Sequence, residues 1–231
     1  MDEPRTRTLL RPLLHSSWAF YAFLLGLLAA NGWFLYNFLV QLREGHIVSG
    51  LGAPQGAIWG IIVANIVNLI GISHVGIAIS AVVRVLNLER YKPLARIAEL
   101  VTIVALTTAV VNIGLDVGRP DRFIINVVYY GRWHSPFVWS MTVITTYFLA
   151  SSIYLYLALR RDLALCAQEV PRWSWLYRFL ALGYSDTEEE RKAHERTLWW
   201  LAVIILPIMV SVHSVYGYIF GLQAGRPGWY N

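Results

Sequence analysis

Five stretches without a charged residue set the strongest limit on how this chain can fold. Asp, Glu, Lys and Arg are all absent from 12–42, 45–83, 100–115, 133–159 and 197–225. A helix needs about 20 apolar residues to cross the hydrocarbon core, and the one short stretch reaches that length once 93–99 is added. The runs are continuous and lack the alternation of outer-membrane strands. The sequence therefore predicts an all-α, polytopic transmembrane helical bundle of about five spans.

The positions of these stretches also predict the organisation of the chain. We expect a single transmembrane domain over 1–231, with spans near 18–41, 57–83, 95–117, 137–159 and 198–221 and a cytoplasmic loop over 160–196. Only 14% of the residues are charged, against about 25% in soluble domains. Lipid is therefore expected to be the main solvent of the chain.

The distribution of Lys and Arg predicts the orientation. The amino-terminal segment, the 84–96 loop and the 160–196 loop hold three, four and seven of these residues, whereas the opposite face holds five. The positive-inside rule then places the amino terminus in the cytoplasm. The same rule accounts for the net charge of +5 without a nucleic-acid partner. The 31-residue uncharged run of the first span is too long for a cleaved signal peptide.

The loop 160–196 contains two pieces with predicted roles. The amphipathic segment 171–180 is expected to lie at the membrane interface, with Trp173, Trp175 and Tyr177 at the level of the lipid headgroups. Asp186 or Thr187 is expected to cap the helix that leads into the fifth span.

Cys166 is the single cysteine of the chain. One thiol allows no disulfide within the chain and no iron–sulfur cluster held by this chain alone. We therefore expect no metal on this chain, and any electrons that enter it must come from a partner subunit.

Four ionisable residues fall inside the predicted spans: His74, Glu99, Asp116 and His213. Such residues are costly in hydrocarbon and are functional candidates by default. At 1.5 Å per residue, His74 is expected about 25 Å below the external surface and His213 about 22 Å above the cytoplasmic one. An offset of about 15 Å between these two histidines argues against a haem that they ligate together.

Polar residues near the external ends of the spans predict a pocket. Asn112 and Asp116 lie on one stripe of the third span with Arg119, and Asn31 and Asn65 belong to the same half of the membrane. Amides and a carboxylate suit a quinone headgroup, since its carbonyls need donors and its quinol needs a proton acceptor. The alternatives stay open: asparagines bond between helices as structural contacts, Asp116 pairs with an interfacial arginine, and His74 and Glu99 serve helix packing.

Four segments in order along the chain carry a family resemblance. They are 71–81 around His74, 96–99 ending at Glu99, 118–120, and 135–139. Their order, spacing and membrane placement resemble the NrfD/polysulfide-reductase membrane subunits, a family that includes the large membrane subunits of alternative complex III. His213 and the segment 227–230 extend the match.

This resemblance implies a quinone-binding subunit of a respiratory or photosynthetic complex in the cytoplasmic membrane of a bacterium or archaeon. It implies menaquinone or ubiquinone as cofactor and an iron–sulfur subunit at the external face, attached to cytochrome or molybdenum subunits. Arg119, Arg122 and Arg132 are expected to face that partner. We assign candidate roles in proton transfer to His74, Glu99 and Asp116. Candidate quinone contacts are Asn31, Asn65, Asn112, Asp116 and His213.

The chain also departs from the family pattern. Ser140 stands where family members often carry Asp, and another common Asp is replaced within 216–220. The family has eight or more spans, so the chain is expected to be part of a longer family domain. Three rival functions stay open: a secondary transporter, a haem-bearing anchor and a purely structural anchor. Against the first, no symmetric pair of broken helices is evident.

Overall fold

The structure is a computed structural model that describes residues 17–49, 60–117 and 120–222, and all regular structure in these ranges is helical. Short 3-10 turns cover His46–Ser49, Glu89–Tyr91 and Pro171–Trp173. The α-helices are α1 (Trp18–Glu44), α2 (Ile61–Val85), α3 (Lys92–Asp116), α4 (Pro120–Tyr130), α5 (Pro136–Glu169), α6 (Ser174–Ala181) and α7 (Glu188–Gly221).

Five of these helices, α1, α2, α3, α5 and α7, are long and apolar enough to cross a membrane. The predicted all-α polytopic bundle of five spans is therefore confirmed. The largest extensions beyond the predicted spans are at α5, which continues past 159 to Glu169, and at α7, which includes the expected lead-in and begins at Glu188.

Local partners explain both extensions. Arg160 donates from Nε to the carbonyl oxygen of Ala181 at 3.0 Å, and Arg161 pairs with Asp186 at 3.1 Å, so charged residues do not end α5. At the start of α7, the amide of Glu190 donates to the Thr187 hydroxyl at 3.3 Å. Thr187 is thus the cap, one of the two predicted candidates.

The chain divides into two compact units. The first comprises Met1–Ser49 and Leu157–His194, and the second comprises Gly50–Tyr156 and Glu195–Asn231. In the first unit, no residue of α1 is buried. A single domain over 1–231 stays a prediction.

The second unit is organised around a close approach of α2 and α3 at Gly76. A Cβ atom there would lie 2.6 Å from the Ala98 carbonyl oxygen and would overlap Thr102 Oγ1. Glycine therefore lets the two helices approach so closely that their polar side chains meet inside the unit. An apolar cluster packs towards the C-terminal end of α3, formed by Ile66, Ile70, Ala109 and Ile144.

Helix α7 runs alongside α2 in the same unit. The indole nitrogen of Trp199 donates to the Val85 carbonyl oxygen at 3.4 Å, which fixes the register of the two helices at one end. Pro207 lies inside α7 and has no amide hydrogen, so one carbonyl of the preceding turn loses its usual helical donor.

Candidate functional site

Buried polar side chains run along the inside of the second unit. We call the set His74, Tyr147, Ser151, Ser80, Tyr154, Glu99 and Arg84 the polar column. Tyr147 and Tyr154 are fully buried, and Glu99 and Ser151 are each 1% exposed. Polar groups placed this deep are expected to have partners, because an unpaired one is expensive in a dry interior.

Glu99 forms the best-defined contact of the column. Its Oε1 atom accepts from Arg84 Nη2 at 2.7 Å and from Arg84 Nε at 3.0 Å, and it also accepts from the Ser80 hydroxyl. Its Oε2 atom is buried and has no hydrogen-bond partner among the described residues. All the donors therefore act on one oxygen, and the other oxygen is left as an acceptor for a proton.

Ser80 and Arg84, which both lie on α2, connect Glu99 to Tyr154 on α5. The Tyr154 hydroxyl lies 3.1 Å from Ser80 Oγ. Because the Ser80 hydrogen is given to Glu99, Tyr154 is the donor in this pair. The Arg84 guanidinium also lies over the Tyr154 ring, 5.4 Å from its centroid, which adds a cation–π contact.

Arg84 also reaches the end of the unit. Together with Asn87, Lys92, Glu195 and neighbouring apolar residues it lines a small cavity of about 80 Å³. Polar and charged residues at this mouth suit an aqueous contact. The cavity thus places a charged opening next to the buried Glu99–Arg84 pair.

His74 lies at the end of the column opposite Glu99 and Arg84. Its Nδ1 lies 2.5 Å from the Ile70 carbonyl oxygen, and its Nε2 lies 3.1 Å from the Met209 carbonyl oxygen. A neutral imidazole donates from only one nitrogen, whereas an imidazolium donates from both. Either nitrogen of the neutral ring can therefore carry its hydrogen towards a carbonyl acceptor.

Tyr147 packs on His74 and holds it in place. The two rings are stacked with centroids 5.1 Å apart, and the Tyr147 hydroxyl donates to the Ser73 carbonyl oxygen at 3.2 Å. The Thr102 hydroxyl lies 3.1 Å from the same oxygen. Helices α2, α3 and α5 are thus tied together beside the imidazole.

His213 lies against His74, and this corrects the sequence-based expectation. The ring centroids are 5.5 Å apart with an interplanar angle of 74°, whereas an offset of about 15 Å was expected. The Val85–Trp199 contact explains the difference, because it fixes which residues of α2 and α7 lie at the same level. His74 is eleven residues before Val85, and the residue eleven after Trp199 is 210, about one helical turn from His213. The expected offset of about 15 Å was therefore wrong.

This proximity does not make a haem site of the two histidines. A haem ligand needs a ring nitrogen free to bind iron, and both nitrogens of His74 face backbone carbonyls. The Tyr147 ring also covers one face of His74. The geometry therefore fits proton exchange better than iron ligation.

A second polar pair lies towards the C-terminal end of α3. The Ser140 hydroxyl donates to the Tyr216 hydroxyl at 2.9 Å, and Tyr216 packs on the apolar cluster of the same region. Ser140 and the segment after His213 were singled out as departures from the family pattern. The structure shows that both departures meet in one hydrogen bond.

The residues predicted to contact the quinone are less closely grouped than the members of the polar column. Asn112 and Asp116 are half-buried on adjacent turns of α3, and Asn65 is exposed on α2. The Asn112 amide donates to the Thr108 carbonyl oxygen at 2.8 Å, which leaves its own oxygen and second hydrogen for a ligand. Asn31 is exposed and donates to Leu27 in its own helix. Asn31 belongs to the first unit and the others to the second.

The basic residues of the outer loop are only partly described. Arg122 is exposed and lies 4.0 Å from Asp121, and Arg132 is exposed in the turn before α5. Arg119 and the segment 227–230 lie outside the described residues.

Sequence reasoning missed several members of the polar column. Arg84 was counted with the basic loop, yet it lies in the last turn of α2 and pairs with Glu99. Tyr147, Ser151 and Tyr154 were not singled out. Their i, i+4 and i+7 spacing on α5 was the available signal, but aromatic and hydroxyl residues are common in membrane helices.

Comparison with known proteins gives the family. The family described as "Polysulphide reductase, NrfD" matches residues 50–231. A putative membrane subunit of dimethyl sulfoxide reductase from Halobacterium salinarum is 32% identical over 191 residues. A selenate reductase subunit from Mesobacillus selenatarsenatis is 24% identical over 199 residues. An Hdr-like menaquinol oxidoreductase integral membrane subunit from Archaeoglobus fulgidus is 31% identical over 136 residues.

These alignments cover 83%, 83% and 59% of this chain but only 41%, 46% and 33% of the respective relatives. The chain therefore spans less than half the length of the curated relatives that it matches. The family match includes α2, α3 and α5, which carry the polar column, and α7, which carries His213, and it agrees with the resemblance in the four sequence segments. The chain thus belongs to the NrfD polysulphide reductase family.

Proposed function

We propose that this chain is the quinone-exchanging membrane subunit of a multi-subunit reductase complex, and that its polar column carries the protons of that exchange. The observation that carries the proposal is the contact of His213 with His74 at one end of a buried column that reaches Glu99. Two relatives are named as subunits of reductases, and a third as an integral membrane subunit of a menaquinol oxidoreductase.

The chemistry needed is a two-electron, two-proton exchange. Quinol gives up two protons and two electrons and becomes quinone, or the reverse occurs. This chain holds a single thiol, so the electrons pass to or from an iron–sulfur partner subunit, which we place at the external face. The protein residues supply binding and proton acceptors, and the quinone carries the electrons.

The half-buried donors and acceptors fit a quinone headgroup. Asn112 has an amide hydrogen for a carbonyl oxygen, and the Asp116 carboxylate can take a quinol proton. His213 is exposed at the outer side of the second unit, where a substrate in the membrane can reach it. We propose Asn65 as a further contact at that end and keep Asn31 as a candidate from α1. The quinone is menaquinone or ubiquinone.

We propose that protons move between His213 and Glu99 through the column. His74 receives the proton, and the hydroxyls of Tyr147, Tyr154 and Ser80 line the way to Glu99. The Ser151 hydroxyl lies between the two tyrosines on α5, is buried and has no hydrogen-bond partner among the described residues, so it can relay a proton between them. Arg84 then connects Glu99 to the charged mouth that we predict to face the cytoplasm. Tyr154→Phe removes only the hydroxyl of this route, so proton uptake in proteoliposomes should fall while the complex still assembles. Unchanged proton uptake would remove Tyr154 from the route, and exposed Tyr129→Phe is the matched control.

The test of the subunit role is composition and quinol activity. The complex that co-purifies with a tagged chain should contain a cysteine-rich iron–sulfur protein by mass spectrometry, and it should oxidise menaquinol or ubiquinol with an artificial acceptor. A chain that purifies alone and lacks quinol-linked activity would instead support the transporter alternative. A Soret band from the isolated chain would support the haem-bearing alternative.

A further inference from the structure

A crevice in the first unit lies apart from the polar column. It has a volume of about 660 Å³ and is formed by the end of α5, by α6 and by the turn that follows α6. A crevice of this size has room for several waters or for a phosphoglycerol group. Its lining includes Ala167, Gln168, Ser174, Arg178 and Tyr184.

The walls of the crevice are fixed by internal hydrogen bonds. The Ser174 hydroxyl donates to the Ala167 carbonyl oxygen at 2.7 Å, which joins α6 to the end of α5. Arg160 lies over the Tyr184 ring, 5.3 Å from its centroid. Burial raises the pKa of the Tyr184 phenol above its usual value, and this phenol donates to Asp186 Oδ1 at 3.2 Å. The crevice is therefore preformed.

Arg178 is the lining cation that is available to a ligand. Arg160 donates to carbonyl oxygens of the α6 turn, and Arg161 pairs with Asp186. The exposed Arg178 makes no ion pair or hydrogen bond with any residue in the described part of the chain. Its five donors are available to an external anion, and the planar guanidinium matches two oxygens of a phosphate.

An exposed apolar stripe lies beside Arg178. Trp175 and Phe179 are 68% and 69% exposed and lie one turn apart on the same face of α6. Leu182, the residue that ends the helix, is 62% exposed. At 100° per residue, Arg178 falls between this stripe and the crevice face that carries Ser174. An apolar face with a cation at its border is typical of a helix lying in the membrane interface.

We infer that this crevice binds the phosphate of a membrane phospholipid, with Arg178 holding the phosphate oxygens and the acyl chains lying along Trp175, Phe179 and Leu182. A phospholipid and free phosphate both present phosphate oxygens to Arg178. The apolar stripe beside Arg178 favours the lipid, because only the lipid has acyl chains to cover it. Anionic headgroups are favoured, because the ammonium of a zwitterionic lipid competes with Arg178 for the same oxygens.

The test is lipid retention by the intact complex. After delipidation, native mass spectrometry should show one retained phospholipid per chain, and added phosphatidylglycerol should refill a depleted sample. Arg178→Gln should weaken phosphatidylglycerol binding about tenfold. Arg172→Gln is the matched control, because Arg172 is an exposed arginine of the same segment that lies over Trp173 and does not line the crevice. It should retain the lipid.

A second variant keeps the test decisive if Arg178→Gln fails to assemble. Ala167→Leu fills the crevice but keeps Arg178, so it should also lose the lipid while the complex still co-purifies. Retention of phosphatidylglycerol by either assembled variant at the unchanged level would overturn the inference. Displacement of the lipid by an equal concentration of inorganic phosphate would also overturn it, since that result indicates a site for soluble phosphate.

Discussion

The imidazole rings of His74 and His213 meet edge to face, with their centroids 5.5 Å apart. One ring is buried beside backbone carbonyls and the other is exposed at the outer side of α7. A proton that arrives at the exposed ring therefore has a buried acceptor next to it. This relationship links the proposed substrate side of the chain to the polar column.

His74→Gln tests this link directly. Glutamine can donate to one of the two carbonyls but cannot take up a proton, so we expect quinol turnover to fall by about a hundredfold in an assembled complex. Steady-state turnover with excess quinol measures the effect. His134→Gln, which removes an exposed histidine outside the column, should have no effect. Equal turnover of the two variants would indicate that His74 serves packing alone.

Asp116→Asn tests the proposed quinol site. The amide has nearly the same shape but is a much weaker proton acceptor, so quinol turnover should fall by about tenfold or more without loss of assembly. Asp121→Asn changes an exposed carboxylate in the first turn of α4 and is the control. Normal turnover in Asp116→Asn would exclude this carboxylate from the site.

The Arg84–Glu99 pair predicts an asymmetric effect on stability. Arg84→Gln leaves an unpaired carboxylate that is 1% exposed, and breaking a buried pair in this way costs about 3 kcal/mol or more. Glu99→Gln leaves an arginine that is 13% exposed at the charged mouth, so its cost should be smaller. Thermal unfolding of the purified complex measures both.

The double variant Arg84→Gln/Glu99→Gln separates stability from function. It should recover much of the thermal stability lost in Arg84→Gln, because no buried charge remains, yet quinol-linked proton uptake should stay low. Recovery of both properties would show that the pair only stabilises the fold.

Gly76→Ala tests the close approach of α2 and α3. The added methyl group would contact the Ala98 carbonyl at 2.6 Å, so we expect a loss of about 1–3 kcal/mol and a lower unfolding temperature. Gly71→Ala on the same helix meets nothing within 4 Å and should be neutral or slightly stabilising, since alanine favours helix. Equal unfolding temperatures would contradict the packing described.

The sequence predicted the spans because charge is excluded from hydrocarbon, and that rule needs no tertiary information. The continuation of α5 past 159 was not predicted, because Arg160 and Arg161 find partners only after the chain turns back. The offset between His74 and His213 was also predicted wrongly. Their relative position is set by the register of α2 against α7, which a single sequence does not show.

The candidate site was only partly predictable for a similar reason. Ionisable residues such as Glu99 are conspicuous in an apolar span, so the sequence identified them. Arg84 sits at the end of an uncharged run and is indistinguishable from a loop residue until its partner is known. Tyr147 and Tyr154 resemble ordinary membrane aromatics, and only the packing of α5 on α2 gives their hydroxyls a role.

The one-sided hydrogen bonding of Glu99 has a consequence for electroneutrality. With Arg84 charged and Glu99 ionised, the pair adds no net charge to a region of low dielectric constant. A proton on the bare Oε2 atom leaves the arginine uncompensated, and an isolated buried charge is strongly opposed. In the proposed route, a proton on that oxygen therefore calls for a negative charge arriving elsewhere in the complex, so proton entry through Glu99 would depend on electron movement.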